Sequence, residues 1–456
     1  MYSYLPHTDN SRKQMLDELK LASTEDLFAN IPSEIRIKKD MNLPEGISEL
    51  EARKKLVELA SNNRTDYISF LGGGVYNRYI PACILAIIER SEFITAYTPY
   101  QPEVSQGTLQ VIYEYQTMIC NLTGMDAANA SVYDGGVACA EAVLMACRLT
   151  NKSTVLLSKA LNPEYKAVVE TYCYGEGIDI EYLPVKDGKT SISSLNIPEN
   201  KDKYACILLQ TPNYLGCVEN VIGIADVCGN INSKFVVCAD PVSFALLKSP
   251  GNYGADIVVG DVQPLGLGMS FGGPHGGYIA CKSQYLRQLP GRIVGMTKDR
   301  DGDRAFTLTL QTREQHIKRA KATSNICTNQ ALMALAATVY LSVTGPEGLK
   351  EIATISAKRA RYLAVNIDKI PGFKVMHSDF INEFVVKVEN IELDKLYEEL
   401  KANGILAGIK LENDFDEYNN CLLLAVTEMN SLDDVNKLIE CLKTLSKKYN
   451  LVSSGV

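Results

Sequence analysis

Two neighbouring segments of the sequence carry residues that could bind a cofactor. Asp240 follows the apolar run Phe235–Ala239, and a glycine-rich loop within Gly254–Gly277 follows the apolar run Ile257–Val259. Both runs lack polar alternation, which predicts strands buried on both faces of a parallel sheet. Ligands of open α/β sheets bind at the carboxyl ends of such strands. This pattern suggests a pyridoxal phosphate (PLP) site. The acid would pair with the pyridinium nitrogen of the cofactor, and a lysine in the loop would form the Schiff base with it.

The glycine-rich loop, however, contains no lysine. It includes Pro264 and His275, and the flanking lysines are Lys248 and Lys282. Lys282 ends a predicted strand after the loop, and Lys248 lies in a Leu-Leu-Lys-Ser-Pro context that is typical of an exposed segment. A Schiff-base lysine normally needs a desolvated pocket. A self-sufficient PLP enzyme that uses one of these two lysines therefore stays open as the weaker alternative.

A stiff, aromatic segment precedes a predicted helix over residues 104–122. The segment reads Tyr-Thr-Pro-Tyr-Gln-Pro-Glu from residue 97 to residue 103, and its prolines favour an extended backbone. Gly124 is expected to end the helix. Such a loop could deliver polar side chains into a pocket, the candidates being Tyr97, Tyr100, Gln101 and Glu103. The alternative is that the loop only packs against the helix.

Three further segments could bind an anion or line a ligand. Phe70–Pro81 contains three consecutive glycines, two tyrosines and Arg78, and either a surface turn or a ligand-lining role is open. Asp134-Gly-Gly opens a predicted helix, whose first amides could bind phosphate. We favour Asp134 as an N-cap, which would satisfy those amides and repel an anion. Before the next predicted helix, Thr323, Ser324 and Asn325 could form a cap or an anion-binding turn.

The composition is that of an ordinary globular protein without a metal or membrane signature. The chain has 456 residues and a net charge of −8, which argues against nucleic acid and membrane surfaces as partners. Its 13 cysteines are scattered without a CxxC pair, which suggests reduced thiols in the cytoplasm. Its 4 histidines lack metal-ligand spacing. We find neither a secretory signal at the N-terminus nor an apolar run long enough to span a membrane.

The order of predicted elements indicates an α/β fold with three regions. Residues 1–65 form short helices, residues 66–344 a large domain, and residues 345–456 a small α/β domain whose last helix begins at a capping box of Ser431 and Asp434. In the large domain, strands alternate with helices, which predicts a parallel or mostly parallel sheet covered on both faces. Residues 292–313 are polar and are predicted to be a loop.

This layout resembles the fold-type I PLP enzymes, and several motifs make the resemblance more specific. The motifs follow one another along most of the chain: Tyr4–Thr8, Phe70–Pro81, Tyr97–Glu103, Gln263–His275 and Ala322–Thr328. Together they resemble glycine decarboxylase, the P-protein family of the glycine cleavage system.

The resemblance implies that the chain is one half of a divided enzyme. Many bacteria split the P-protein into two subunits, and this chain resembles subunit 1, the N-terminal half. Subunit 2 of this family carries the PLP lysine in a His-Lys-Thr motif, and Gln263 and Pro264 stand where its His and Lys would be. The resemblance thus implies PLP on the partner, no PLP bound covalently to this chain, and Asp240 as a vestigial pyridinium acid.

The implied reaction is the decarboxylation of glycine with release of CO2 and transfer of the aminomethyl group to the lipoyl group of H-protein. The pair of subunits would form a heterotetramer, with this chain inactive alone. The resemblance suggests Tyr97, Tyr100, Gln101 and Glu103 as catalytic groups contributed across the interface, and Thr323, Ser324 and Asn325 as ligands of the partner's PLP phosphate. His275 would line the lipoyl passage or be an ordinary hydrogen-bonded loop histidine. A non-catalytic scaffold is the remaining alternative.

Overall fold

The computed structural model describes residues 7–37, 39, 41–193, 199 and 201–449. These residues belong to two compact units, Met1–Thr65 and Asp66–Val456. Tyr4, Leu5 and Pro6 of the first motif lie outside the described residues. In the described part of the chain, no helix has the length and apolar character needed to cross a membrane. The same residues contain no cluster of His, Cys, Asp and Glu side chains that could hold a metal ion.

The first unit contains two α-helices, α1 (Asp9–Leu19) and α2 (Glu49–Ala60), and a 3₁₀ turn over Thr24–Phe28. The hydroxyl of Ser48 accepts a hydrogen bond from the amide of Glu51, whose carboxylate accepts one from Ser48 in return. This capping box starts α2 at the position where its apolar spacing begins. Neither helix has a buried residue, and large apolar side chains such as those of Leu19 and Leu50 are exposed.

The second unit alternates helices and strands along most of its length. Its helices are α3 (Ala82–Ile88), α4 (Ser91–Ile94), α5 (Gln106–Thr123), α6 (Gly135–Thr150), α7 (Pro163–Glu176), α8 (Ile224–Asn230), α9 (Gln315–Lys318), α10 (Ala331–Ile367), α11 (Leu393–Ala402) and α12 (Leu432–Lys448). Its strands are β1 (Ile68–Ser69), β2 (Ala127–Ala128), β3 (Thr154–Ser158), β4 (Asp179–Leu183), β5 (Val185–Lys186), β6 (Lys189–Thr190), β7 (Cys206–Gln210), β8 (Lys234–Cys238), β9 (Ile257–Asp261), β10 (Gly277–Cys281), β11 (Ile293–Lys298), β12 (Arg304–Thr309), β13 (Phe373–Val375), β14 (Glu383–Val388), β15 (Ile405–Leu406), β16 (Ile409–Lys410) and β17 (Cys421–Ala425).

A seven-stranded sheet in the order β2-β10-β9-β8-β7-β3-β4 forms the centre of this unit. Strands β9, β8, β7, β3 and β4 are parallel, and β10 is antiparallel to both of its neighbours. Alternate residues of a strand point to opposite faces, so Val236 and Val237 belong to different apolar clusters. Helices α5 and α10 cover one face, and α6 and α7 cover the other. The predicted mostly parallel sheet with helices on both faces is confirmed.

The prediction of a loop over residues 292–313 is wrong. Strands β11 and β12 form an antiparallel hairpin there, and Phe306 and Leu308 of β12 are buried against Leu109 and Ile112 of α5. The opposite face carries Thr297, Thr307 and Thr309, and Ile293 on that face is buried in a different apolar cluster. The many polar residues of this segment hid the alternation that marks a half-buried strand.

The end of the chain forms a second sheet, in the order β13-β14-β17-β16, packed against α10, α11 and α12. Helix α10 joins two predicted helices across Gly345, whose φ of 58° lies outside the helical region and which is followed by Pro346. The predicted capping box of Ser431 and Asp434 is confirmed at the start of α12. Because residues from Asp66 onward form one compact unit, the domain boundary at residues 344 and 345 stays a prediction.

Candidate functional site

Two acidic residues lie at the carboxyl edge of the sheet, the predicted Asp240 after β8 and Asp261 at the end of β9, which sequence reasoning missed. Asp240 accepts a hydrogen bond from the amide of Val242 at 3.0 Å. Its other carboxylate oxygen lies 3.9 Å from Nη2 of Arg78. Burial raises the pKa of Asp240. The acid proposed for a pyridinium nitrogen therefore faces a cation that this chain supplies.

Arg78, which carries that cation, is only 4% exposed. Its Nη1 donates to the carboxylate of Glu428 at 2.8 Å, so two carboxylates flank one buried guanidinium. Sequence reasoning found Arg78 as a possible ligand-lining residue and missed Glu428. A guanidinium stays charged even when it is buried, which suits it to such a site.

Carboxylates also occupy the first amides of α6, where a phosphate would bind. Asp134 accepts a hydrogen bond from the amide of Val137 at 2.8 Å, and Asp261 accepts one from the amide of Gly135 at 2.9 Å. The predicted N-cap role of Asp134 is confirmed. Two negative charges at a helix N-terminus disfavour a third. This turn is a satisfied cap rather than a phosphate site.

The space beside these acids is nearly filled by side chains. The cavity between them measures about 30 Å³ and is lined by Tyr76, Tyr165, Asp240, Asp261 and Pro264, among others. A Cβ atom built on Gly135 would lie 2.5 Å from the hydroxyl oxygen of Tyr165, which shows how tightly this ring packs against α6. Ligand pockets commonly measure roughly 300–1,000 Å³. The cavity is therefore far too small for a cofactor.

At the position of the missing lysine, the chain has Gln263 and Pro264, and the side chain of Gln263 binds the backbone of a distant residue. The side chain of Gln263 is fully buried, and its amide both accepts a hydrogen bond from Tyr76 N and donates one to Tyr76 O, each at 2.9 Å. Pro264 has no amine and cannot form a Schiff base. Together with the filled cavity and the capped helix, this means that the residues at this edge do not fit PLP.

The other two candidate lysines lie elsewhere. Lys282 bonds to the carboxylate of Asp256 at 2.6 Å. Asp256 immediately precedes β9, so this ion pair lies at the amino edge of the strand, opposite Pro264. Lys248 is exposed. Neither lysine has the desolvated surroundings at the carboxyl edge that a Schiff base needs.

Glu383 at the start of β14 is a buried acid that sequence reasoning missed. It accepts hydrogen bonds from the amide of Gly73 and the hydroxyl of Tyr76, both at 2.7 Å. Burial raises the pKa of Glu383 to about 7. The segment Phe70–Pro81 is thus held by Glu383 on one side and Gln263 on the other. Two of its residues, Gly74 and Tyr76, line the cavity of about 30 Å³ and help to close it.

His275 lies near the same edge. Its Nδ1 is 3.7 Å from a carboxylate oxygen of Asp261, and this neighbour raises the pKa of His275. Its Nε2 is buried and has no hydrogen-bond partner among the described residues. Both interpretations of this histidine stay predictions.

The segment Tyr97–Glu103 lies on the surface of the second unit, before α5. Tyr97 is 78% exposed and Tyr100 is 46% exposed, and Gln101 and Glu103 are exposed as well. The hydroxyl of Tyr100 accepts a hydrogen bond from Nη2 of Arg292 at 3.0 Å. The catalytic role of these four side chains stays a prediction.

The segment Thr323–Asn325 is partly engaged with the body of the second unit. The hydroxyl of Ser324 donates to the buried carboxylate of Glu141 at 2.6 Å, and that of Thr323 donates to the carbonyl of Arg313 at 3.3 Å. Asn325 is exposed. All three residues border a cavity of about 820 Å³ beside α6 and α7. Helix α10 begins at Ala331, so these residues do not cap it.

Comparison with known proteins gives one consistent answer over nearly the whole chain. The family model described as "Glycine cleavage system P-protein" matches residues 2–442. A relative from Carboxydothermus hydrogenoformans, named "Probable glycine dehydrogenase (decarboxylating) subunit 1", is 48% identical over 96% of this chain and 99% of its own. A relative of the same name from Desulforamulus reducens is 46% identical over 97% of this chain and 100% of its own.

Solved structures support the same assignment. The crystal structure of a glycine decarboxylase (P-protein) of the glycine cleavage system, in inhibitor-bound form, is 42% identical with a TM-score of 0.89, over 97% of this chain and 100% of that one. A glutamate decarboxylase of Lactobacillus brevis shares the fold alone, at 14% identity and a TM-score of 0.69 over 93% of this chain and 97% of its own. The fold is that of the fold-type I PLP enzymes, and the chain belongs to the P-protein family of the glycine cleavage system.

Proposed function

We propose that this chain is subunit 1 of a two-subunit glycine dehydrogenase (decarboxylating), whose cofactor lysine belongs to a separate chain. The observation that carries the proposal is Pro264, which the resemblance places where the lysine of the His-Lys-Thr motif of subunit 2 would stand. The filled cavity of about 30 Å³ beside it supports the same conclusion. The chain is therefore an enzyme only as part of a complex.

The pair would decarboxylate glycine, release CO2 and transfer the aminomethyl group to the lipoyl group of H-protein. PLP supplies the electron sink for this chemistry and would be held by the partner, subunit 2. A heterotetramer of the two subunits in the cytoplasm is the assembly that we propose. In this assembly, this chain would contribute a folded surface for the partner and side chains that face it.

Tyr97, Tyr100, Gln101 and Glu103 are the groups that we propose for catalysis across the interface. Their exposure supports this role, because side chains directed toward a partner must be accessible in the separated chain. Thr323, Ser324 and Asn325 remain our candidates for the partner's PLP phosphate, and Ser324 would have to release Glu141 to take part. His275 remains the candidate for the lipoyl passage.

Reconstitution tests the proposal. Glycine-dependent release of CO2 is measured with lipoylated H-protein for this chain alone, for the lysine-bearing subunit alone and for the pair. We expect activity from the pair only. Decarboxylation by this chain alone would contradict the proposal.

The scaffold alternative makes a different prediction for variants of the exposed loop. If Tyr97 and Glu103 act in catalysis, the variants Y97F and E103Q should reduce the turnover of the pair at least about tenfold while its assembly is unchanged. The control is Y174F, since Tyr174 lies on α7 and is 91% exposed. Full activity of both loop variants would favour a scaffold.

A further inference from the structure

A group of charged residues that sequence reasoning did not identify surrounds Tyr100. Arg292 precedes β11, Glu314 precedes α9, and His316 lies within α9. Arg292 is 3% exposed and Glu314 is 8% exposed, whereas the side chain of His316 is 32% exposed. We call Tyr100, Arg292, Glu314 and His316 the Tyr100 cluster. Two buried charged side chains, those of Arg292 and Glu314, thus lie beside two accessible rings, those of Tyr100 and His316.

Arg292 fixes the position of Tyr100. Its Nη2 donates to the tyrosine hydroxyl at 3.0 Å, and its Nη1 donates to the side-chain oxygen of Asn329 at 3.3 Å. The guanidinium carbon lies 5.3 Å from the centre of the Tyr100 ring. A planar guanidinium held at two points restricts the ring more than a lysine would.

Glu314 links Arg292 to His316. One of its carboxylate oxygens lies 3.7 Å from Arg292 Nε and 3.6 Å from His316 Nδ1. The rings of His316 and Tyr100 meet edge to face, with their centres 5.5 Å apart. Distances of this size are longer than hydrogen bonds, and catalytic hydrogen bonds are often long before the complete site assembles.

Two polar atoms of the Tyr100 cluster lack a hydrogen-bond partner among the described residues. Arg292 Nε and the second carboxylate oxygen of Glu314 are buried and have no hydrogen-bond partner among the described residues. Buried charged groups without partners destabilise a fold by more than neutral ones do. A small shift that shortens the contact of Glu314 with Arg292 would satisfy Arg292 Nε, and the second oxygen of Glu314 stays free to accept a hydrogen bond when another chain binds over the exposed rings.

A carboxylate on Nδ1 of an imidazole is an arrangement that transfers protons. The carboxylate holds the tautomer with its proton on Nδ1, leaves Nε2 as the acceptor and stabilises the imidazolium that forms. Tyr100 lies beside this imidazole on the loop that we propose faces the partner. The arrangement is that of a general base delivered from outside the cofactor-bearing chain.

We propose that His316 is a catalytic base that this chain supplies to the partner's active site, and that Glu314 and Arg292 position His316 and Tyr100. The inference rests on the proposed function. In the step that we assign, Nε2 accepts a proton from the ammonium group of glycine, so one N–H bond forms as another breaks. The electron pair stays on the amino nitrogen, which becomes nucleophilic, and the imidazolium later returns the proton to water.

The test compares H316Q, H316A and E314Q in the reconstituted pair. We expect the kcat of H316Q to fall about 100-fold while the KM for glycine stays within about threefold, because a glutamine cannot take up the proton. E314Q should show a smaller loss. Free imidazole should restore part of the kcat of H316A, which a merely structural histidine would not allow. The control is H377Q, since His377 bonds to Tyr418 in the C-terminal part of the chain.

Gel filtration and the PLP absorbance of the pair show whether each variant assembles. Full activity of H316Q, or an assembled H316A that imidazole does not rescue, would overturn the inference. A loss of activity explained by lost assembly would also overturn it, because His316 would then be an interface contact. If the wild-type pair does not decarboxylate glycine, the proposed function fails instead.

Discussion

At the scale of single residues, the carboxyl edge of the sheet is a network of buried charges that pair with one another, although Arg78 Nε has no hydrogen-bond partner among the described residues. Arg78 lies between Asp240 and Glu428, and Glu383 binds the backbone of the glycine segment. Removing one member of such a network leaves the others desolvated without a partner. These residues are therefore expected to determine stability rather than chemistry.

Replacing Arg78 tests this expectation. We predict that R78M lowers the free energy of unfolding by about 3–5 kcal/mol, because two buried carboxylates lose their common cation. Urea unfolding followed by circular dichroism measures the effect. The control is R90M, which breaks an exposed ion pair with Glu92 and should leave the midpoint nearly unchanged. Equal midpoints for R78M and wild type would refute the prediction.

Glu383 makes stability depend on pH. Its pKa is raised from 4.5 to about 7, so the folded chain binds more protons than the unfolded chain between these two values. Stability should therefore fall as pH rises through this window, by on the order of 3 kcal/mol from this group. The variant E383Q should lose that part of the dependence, as measured by urea unfolding at about pH 5 and about pH 8. Identical pH profiles for the two proteins would contradict the assignment.

At the scale of elements, the edge formed by β8, β9 and the start of α6 has the arrangement at which open α/β sheets bind ligands. In this chain, the protein's own side chains fill that space. Asp261 and Asp134 bind the helix amides, and the ring of Tyr165 occupies the space beside Gly135. The edge is thus closed by several elements at once, and restoring one residue should not reopen it.

The variant P264K tests this closure. We predict that the chain with this lysine takes up no PLP when purified alone, because the cavity of about 30 Å³ has no room for the cofactor. The absorbance of the protein with added PLP, before and after borohydride reduction, measures uptake. Circular dichroism confirms that the variant is folded. A stoichiometric adduct at residue 264 would show that the site is open.

The sequence predicts what local patterns determine, and misses contacts between distant segments. The N-cap of Asp134 and the capping box of Ser431 were predictable because both lie within one turn of helix. The bonds of Gly73 to Glu383 and of Arg78 to Glu428 join residues 310 and 350 positions apart, and no local signal links them. The Tyr100 cluster was missed for the same reason, since Tyr100 and Arg292 are 192 positions apart.

At the scale of the whole molecule, the chain is a family member whose cofactor edge is closed and whose exposed face carries candidate groups for another site. The closed edge and the exposed Tyr100 cluster are complementary observations. The first excludes the cofactor from the usual place in this chain, and the second offers polar groups to a site outside it. Together they support a division of the enzyme into a cofactor-bearing chain and a contributing chain.

The location of the PLP adduct tests this division most directly. The assembled pair is treated with borohydride, and both chains are digested and analysed by mass spectrometry for the reduced PLP–lysine adduct. We predict the adduct on a lysine of the other subunit and none on this chain. An adduct on this chain, at Lys248, Lys282 or any other lysine, would contradict the account.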